Sequence, residues 1–163
     1  FGFDYSCAAA KTTSLQDATT NCEKVKDELG RNYCYQESAQ KLNDITLCSK
    51  ISPIGGVKNL CIVKAAKSID DSNACDSVSD PNLRDECYMG VAKKFNAVEV
   101  CNRMSLQDNR AKERRYNCII NLVFNTNNAK LCENINFEVE GNYLLNLKGD
   151  TGPLNKETCY AQF

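Results

Sequence analysis

The chain has 163 residues, enough for one domain or one short array with a shared core. Its 20 basic and 21 acidic side chains leave a net charge of −1, so no overall field draws it to nucleic acid or a membrane surface. Histidine is absent, which removes the commonest metal ligand and general base, and no 18-residue apolar run is present to span a bilayer.

Taken in chain order, eleven cysteines set the metre. Cys7, Cys34, Cys61, Cys87, Cys118 and Cys159 lead; Cys22, Cys48, Cys75, Cys101 and Cys132 trail. Each trailing cysteine follows its leader by 15, 14, 14, 14 and 14 residues, whereas the step to the next leader varies as 12, 13, 12, 17 and 27. This alternation reads as one repeat domain over 1–163, with units of about 4–26, 27–52, 53–79, 80–104 and 105–135. An insertion over 136–153 and a terminal half-unit over 154–163 complete it.

Within each unit, the residues around the leading cysteine predict a helix of about three turns. Three residues before it stand Arg31, Lys58, Arg84, Arg115 and Lys156; one after it stand Tyr35, Ile62, Tyr88, Ile119 and Tyr160; five after it stand Ala39, Ala66, Ala92 and Val123. Steps of four place these positions on one helical stripe. In the unit over 80–104, Asp80 is the expected N-cap and Pro81 the first helical residue. Five residues before each trailing cysteine stand Asp17, Asn43, Asp70, Asn96 and Asn127, expected to cap a second, shorter helix. Val25, Ile51, Val78, Met104 and Ile135, three residues after it, are its apolar partners. The fold class expected is all-α: tandem αα-hairpins, disulfide-stapled, forming a short helical solenoid or compact bundle.

Two stretches lengthen the connections. Ser105–Tyr116 carries Arg110, Lys112, Arg114 and Arg115 against Asp108 and Glu113. In Asn136–Pro153, Phe137–Glu140 alternates like a strand and Gly149–Pro153 reads as a turn. Such insertions serve either binding or plain packing and capping.

Regular cysteine spacing favours disulfides and an oxidising, extracellular or cell-surface location, and 19 asparagines argue against a very hot habitat. The start Phe1-Gly2-Phe3-Asp4 lacks a charged segment followed by an apolar one, so a removed targeting segment is expected. No Asn-x-Ser/Thr acceptor for glycosylation occurs. Two pairings fit. The preferred one bridges within units, as Cys7–Cys22, Cys34–Cys48, Cys61–Cys75, Cys87–Cys101 and Cys118–Cys132, because a constant spacing suits a constrained distance. It leaves Cys159 free or intermolecular. The other bridges between units, as Cys22–Cys34, Cys48–Cys61, Cys75–Cys87, Cys101–Cys118 and Cys132–Cys159, and leaves Cys7.

The unit pattern Arg/Lys-x-x-Cys-Tyr-x-x-x-Ala, then Leu-Cys-x-x-Ile, appears as Arg31–Tyr35 with Leu47–Ile51, and in varied form as Arg84–Tyr88 with Val100–Met104. It resembles Cys-rich helical repeats of uncharacterised secreted or surface proteins of archaea and some bacteria. That resemblance implies extracellular, disulfide-bonded αα-hairpins and no activity.

No catalytic constellation is present: there is no CxxC, no histidine to activate a thiolate and no Gly-rich phosphate loop, Gly55-Gly56 being a lone dipeptide. The chain is therefore expected to be no enzyme and to need no cofactor. The leading expectation is an extracellular structural or adhesive protein, a subunit of a surface assembly or filament that associates with itself or another surface protein. One alternative is a binding module for an anionic glycan or protein partner. It would use the cations Arg31, Lys58, Arg84, Arg115 and Lys156 as a ladder beside the tyrosines, unless these pair with Glu23, Asp76 and Glu133. A further alternative is a thiolate store for Cu(I), though no two cysteines lie closer than 12 residues.

Overall fold

A computed structural model describes residues 9–53, 56–145 and 151–162. Cys7, the Phe1–Asp4 start, Gly55, and Gly149 and Asp150 of the expected turn lie outside the described residues. The chain divides into two compact units, Phe1–Cys87 and Tyr88–Phe163.

The first unit contains α1 (Leu15–Glu23), α2 (Glu28–Leu42), a 3-10 helix η1 (Ile45–Lys50), α3 (Val57–Ala66), a 3-10 helix η2 (Ser72–Ser77) and the start of α4 (Pro81–Phe95). The second contains the rest of α4, then α5 (Val98–Cys101), α6 (Asn109–Thr126), a 3-10 helix η3 (Ala129–Asn134), strands β1 (Val139–Leu145) and β2 (Thr151–Leu154), and α7 (Lys156–Tyr160). The described residues are thus mostly helical, with an antiparallel pair of strands between η3 and α7.

The helix start expected at Asp80 is present, and two other long helices begin in the same way. Asp80 accepts from the Leu83 N–H at 2.9 Å, ahead of Pro81, and Asp27 and Asp108 do the same for Gly30 and Ala111 at 2.6 and 2.7 Å. A side-chain carbon on Gly30 would press on Asp27 and Val25 at 3.1 and 3.2 Å, so this first turn wants glycine.

The asparagines expected to start the short helices instead end the long ones. Asn43, Asn96 and Asn127 are left-handed, with φ of 53°, 54° and 49°. At each, the next residue's N–H reaches back to the carbonyl of Ala39, Ala92 or Val123 at 3.0–3.1 Å, closing the helix in a Schellman-type turn. Asparagine tolerates this backbone because its short polar side chain bonds locally. The capping role passes to the residue after it: Asp44, Asp71 and Asn128 accept the N–H of Thr46, Asn73 and Lys130 at 2.9–3.2 Å and open η1, η2 and η3. Ala97 holds that position in the unit over 80–104, where the short helix is α5 and has no side-chain cap. Asp70 starts nothing, since α3 ends at Ala66 and Asp71 caps. Asp17 is also not the cap: Ser14 is, accepting the Asp17 N–H at 3.1 Å.

After each trailing cysteine the chain turns out of its short helix. The N–H of Val25, Ile51, Val78, Met104 and Ile135 donates to the carbonyl of Cys22, Cys48, Cys75, Cys101 and Cys132 at 3.0–3.3 Å. All five apolar residues are buried, as are Tyr35, Ile62, Tyr88 and Ile119 and the small residues Ala39, Ala66, Ala92 and Val123.

The disulfides run between successive sequence units. They are Cys22–Cys34, Cys48–Cys61, Cys75–Cys87, Cys101–Cys118 and Cys132–Cys159, with Cα–Cα distances of 5.4–5.8 Å. The preferred within-unit pairing of Cys7–Cys22, Cys34–Cys48, Cys61–Cys75, Cys87–Cys101 and Cys118–Cys132 is overturned, since Cys22 bonds Cys34, and Cys159 is bonded rather than left over. The reason lies in what the constant spacing measures. Nine helical residues lead from Cys34, Cys87 and Cys118 to the left-handed Asn43, Asn96 and Asn127, and a further five reach the trailing cysteine. That span is fixed by helix length and turn geometry. A disulfide fixes only its two ends and accepts intervening loops of 12 to 27 residues.

The expected turn at Thr151–Pro153 is strand instead. Thr151 pairs with Leu145, Gly152 with Leu144 and Leu154 with Val139, with an irregularity between Val139 and Leu144.

Candidate functional site

The recurring cation is the first site that the sequence singles out, and most of its members are held internally. Arg31 donates from Nη1 to the Val25 carbonyl at 3.2 Å, and Arg84 from Nε to the Val78 carbonyl at 2.9 Å. Each arginine straps its helix to the residue three positions after the preceding trailing cysteine. Arg115 is buried on α6, donates from Nη2 to Asn102 Oδ1 at 2.9 Å and lies 5.4 Å from the centroid of Phe137. Burial pulls its pKa below the ordinary arginine value. Lys156 pairs with Glu133 at 2.9 Å, and Tyr160 donates to the other Glu133 oxygen at 2.6 Å. The Tyr160 and Lys156 hydrogen bonds hold the Glu133 carboxyl below the usual range. Lys58 differs: among the described residues it makes no hydrogen bond or ion pair.

The tyrosines do not stand open beside these cations. Tyr35 and Tyr88 are 3 % exposed, and burial, with the Glu23 charge second, raises the Tyr35 pKa. Tyr160 is 37 % exposed and committed to Glu133.

A second recurring contact escaped the sequence reading. Two residues before the leading cysteine, Asn32 Oδ1 accepts the Ser52 N–H at 3.3 Å, and Asn59 Oδ1 accepts the Ser79 N–H at 3.3 Å. Asn59 also donates to Ser79 Oγ at 3.0 Å. Ser52 and Ser79 each stand four residues after a trailing cysteine. The signal was the Asn/Ser pair at fixed offsets, hidden because both types also read as ordinary loop residues. Cys34 therefore ties α2 to α1 before it, while Asn32 ties α2 to the segment after η1.

Lys58 borders a groove of about 430 Å³ in the first unit. Ile45 of η1, Ile62 of α3 and Ala74 of η2 give it apolar lining, and Asp71, Asn73 and Lys58 line it as well. The Ser49 and Ser77 hydroxyls on its wall donate to carbonyls of their own 3-10 helices, Thr46 and Ala74, at 2.7 and 3.0 Å.

The last insertion has a well-packed base. Val139 and Leu154, paired across the hairpin, are both buried, and Phe137 meets Arg115. Asn155 and Thr158 form a reciprocal capping box at the start of α7, and the Tyr116 and Thr158 hydroxyls approach to 3.5 Å. In the Ser105–Tyr116 insertion, Ser105 accepts the Gln107 N–H at 3.2 Å, Asp108 caps α6, and the basic run becomes its first turns.

All ten described cysteines are paired and buried. Among the described residues no group of three acidic or cysteine side chains is arranged to hold a metal ion, and no helix is long and apolar enough to cross a membrane. No family model matches the chain, and neither does any curated protein or solved structure.

Proposed function

We propose that this chain is a non-enzymatic structural module that works outside the cell as part of a surface assembly. In this reading its units stack in series as a short, cross-linked solenoid. The observation that carries the proposal is the placement of the five disulfides: four close the joint between one helix and the next, and the fifth joins η3 to the five-residue α7 beyond the hairpin. Five buried bridges require an oxidising environment to form and persist. Each closed loop stabilises by about 3 kcal/mol through the unfolded chain, so cross-links offset what each short hairpin is too small to bury. The Asn32–Ser52 and Asn59–Ser79 contacts support serial stacking inside the first unit.

A polyanion grip along the cations has weaker support, because Arg31, Arg84, Arg115 and Lys156 already have partners. A thiolate store has weaker support still, since a disulfide sulfur is no thiolate.

Size-exclusion chromatography with light scattering, run with and without reductant beside a non-reducing peptide map, tests the proposal. Oligomers in oxidised protein, whether linked through Cys7 or associated without a covalent bond, are the expected result. A strict monomer under both conditions removes assembly.

A further inference from the structure

The groove beside Lys58 holds two opposite charges that do not meet. Lys58 and Asp71 both line it, yet no ion pair joins them. Of the Asp71 carboxylate, one oxygen is occupied, accepting the Asn73 N–H at 3.0 Å. The neighbouring serine hydroxyls are turned to carbonyls of their own helices. The charged groups left facing the space are an ammonium and a carboxylate, with Ile45, Ile62 and Ala74 supplying an apolar surface between successive helices.

Elsewhere in the chain, the residue at the Lys58 position is bound into the structure. Arg31 and Arg84 reach a backbone carbonyl, Arg115 reaches Asn102, and Lys156 reaches Glu133. Lysine, a flexible point charge without arginine's fork, makes no such strap here. The volume of about 430 Å³ lies within the range of small-ligand sites, roughly 300–1,000 Å³.

We propose that this groove binds a free aliphatic α-amino acid as its zwitterion. The carboxylate would face Lys58, the ammonium would face Asp71, and the side chain would lie on Ile45, Ile62 and Ala74. A simple anion meets repulsion from Asp71, and a simple cation meets repulsion from Lys58. A zwitterion satisfies both walls, and its side chain removes apolar groove surface from water.

The test is amide NMR on the full, oxidised chain titrated with L-leucine. Two analogues that each lack one charge, 4-methylpentanoate and isoamylamine, are titrated in parallel. Saturable shifts at Ile62 and Ala74 are expected with leucine, and each analogue should bind roughly tenfold more weakly. Lys58→Gln and Asp71→Asn should each produce a similar loss. Asp71→Asn keeps the helix cap, because Asn128 fills the equivalent position at η3. Unchanged spectra away from the groove establish that both variants are folded. The proposal is overturned by no saturable shift up to about 50 mM leucine. It is equally overturned by an analogue that matches leucine, or by either variant binding as tightly as the parent chain.

Discussion

The joint at Cys75–Cys87 and the joint at Cys132–Cys159 solve one problem with different chemistry. The first closes a 12-residue separation, and Arg84 reaches the backbone carbonyl of the buried Val78. The second closes 27 residues that contain a hairpin, and an exposed Lys156–Glu133 pair with Tyr160 stands where the arginine strap was. The turn after the trailing cysteine is the same in both: the Val78 and Ile135 N–H groups return to Cys75 and Cys132 at 3.1 and 3.0 Å. The comparison shows that the disulfide and the turn define a joint. The strap is adjustable, and a whole hairpin fits between bonded cysteines when Val139 and Leu154 close its base.

The largest expected effect comes from cutting each bridge. Cys75→Ala with Cys87→Ala should cost about 3 kcal/mol in urea unfolding, and Cys132→Ala with Cys159→Ala about 0.7 kcal/mol more from its longer loop. A smaller loss at the long loop would show that the hairpin already restrains the unfolded chain. Next comes the strap. Arg84→Met should cost about 1.5 kcal/mol by stranding the Val78 carbonyl, whereas Lys156→Met should leave the midpoint nearly unchanged. Equal losses would make the exposed pair as important as the arginine and break the distinction.

At the left-handed turn, Asn43→Ala should cost about 1 kcal/mol, and Asn43→Gly should be close to neutral. Lys58→Met, which removes no hydrogen bond or ion pair among the described residues, should stay within about 0.5 kcal/mol of the parent. The smallest effect is electrostatic. Because the Glu133 carboxyl is held below its unfolded value of 4.5, its contribution is present above that value and fades as pH falls through the folded one. Glu133→Gln should remove that acid-side slope, measured by NMR titration and by Tm against pH.

Much of the site was legible in order but not in partnership. Burial at Tyr35, Ile62, Tyr88 and Ile119 follows from helical spacing, which places them on one stripe with the buried Ala39, Ala66, Ala92 and Val123 four residues on. The roles of Asn43, Asn96 and Asn127 were misread because Asn serves both a helix start and a left-handed end. Only backbone dihedrals separate the two, and beside Asn43 and Asn127 the true caps, Asp44 and Asn128, stood one residue away. The groove at Lys58 was invisible, since Ile45, Ile62 and Ala74 come from three elements.

By itself the sequence determined the helical class and the stripe of buried positions, because these depend on residues within one or two turns of each other. The tertiary structure decided which cysteines bond, which cations are bound internally, and where a groove opens. Those outcomes depend on how segments 12 to 27 residues apart return to one another. Local spacing does not encode that return: a constant interval reflects the helix between two cysteines, while the bond forms across the interval free to vary.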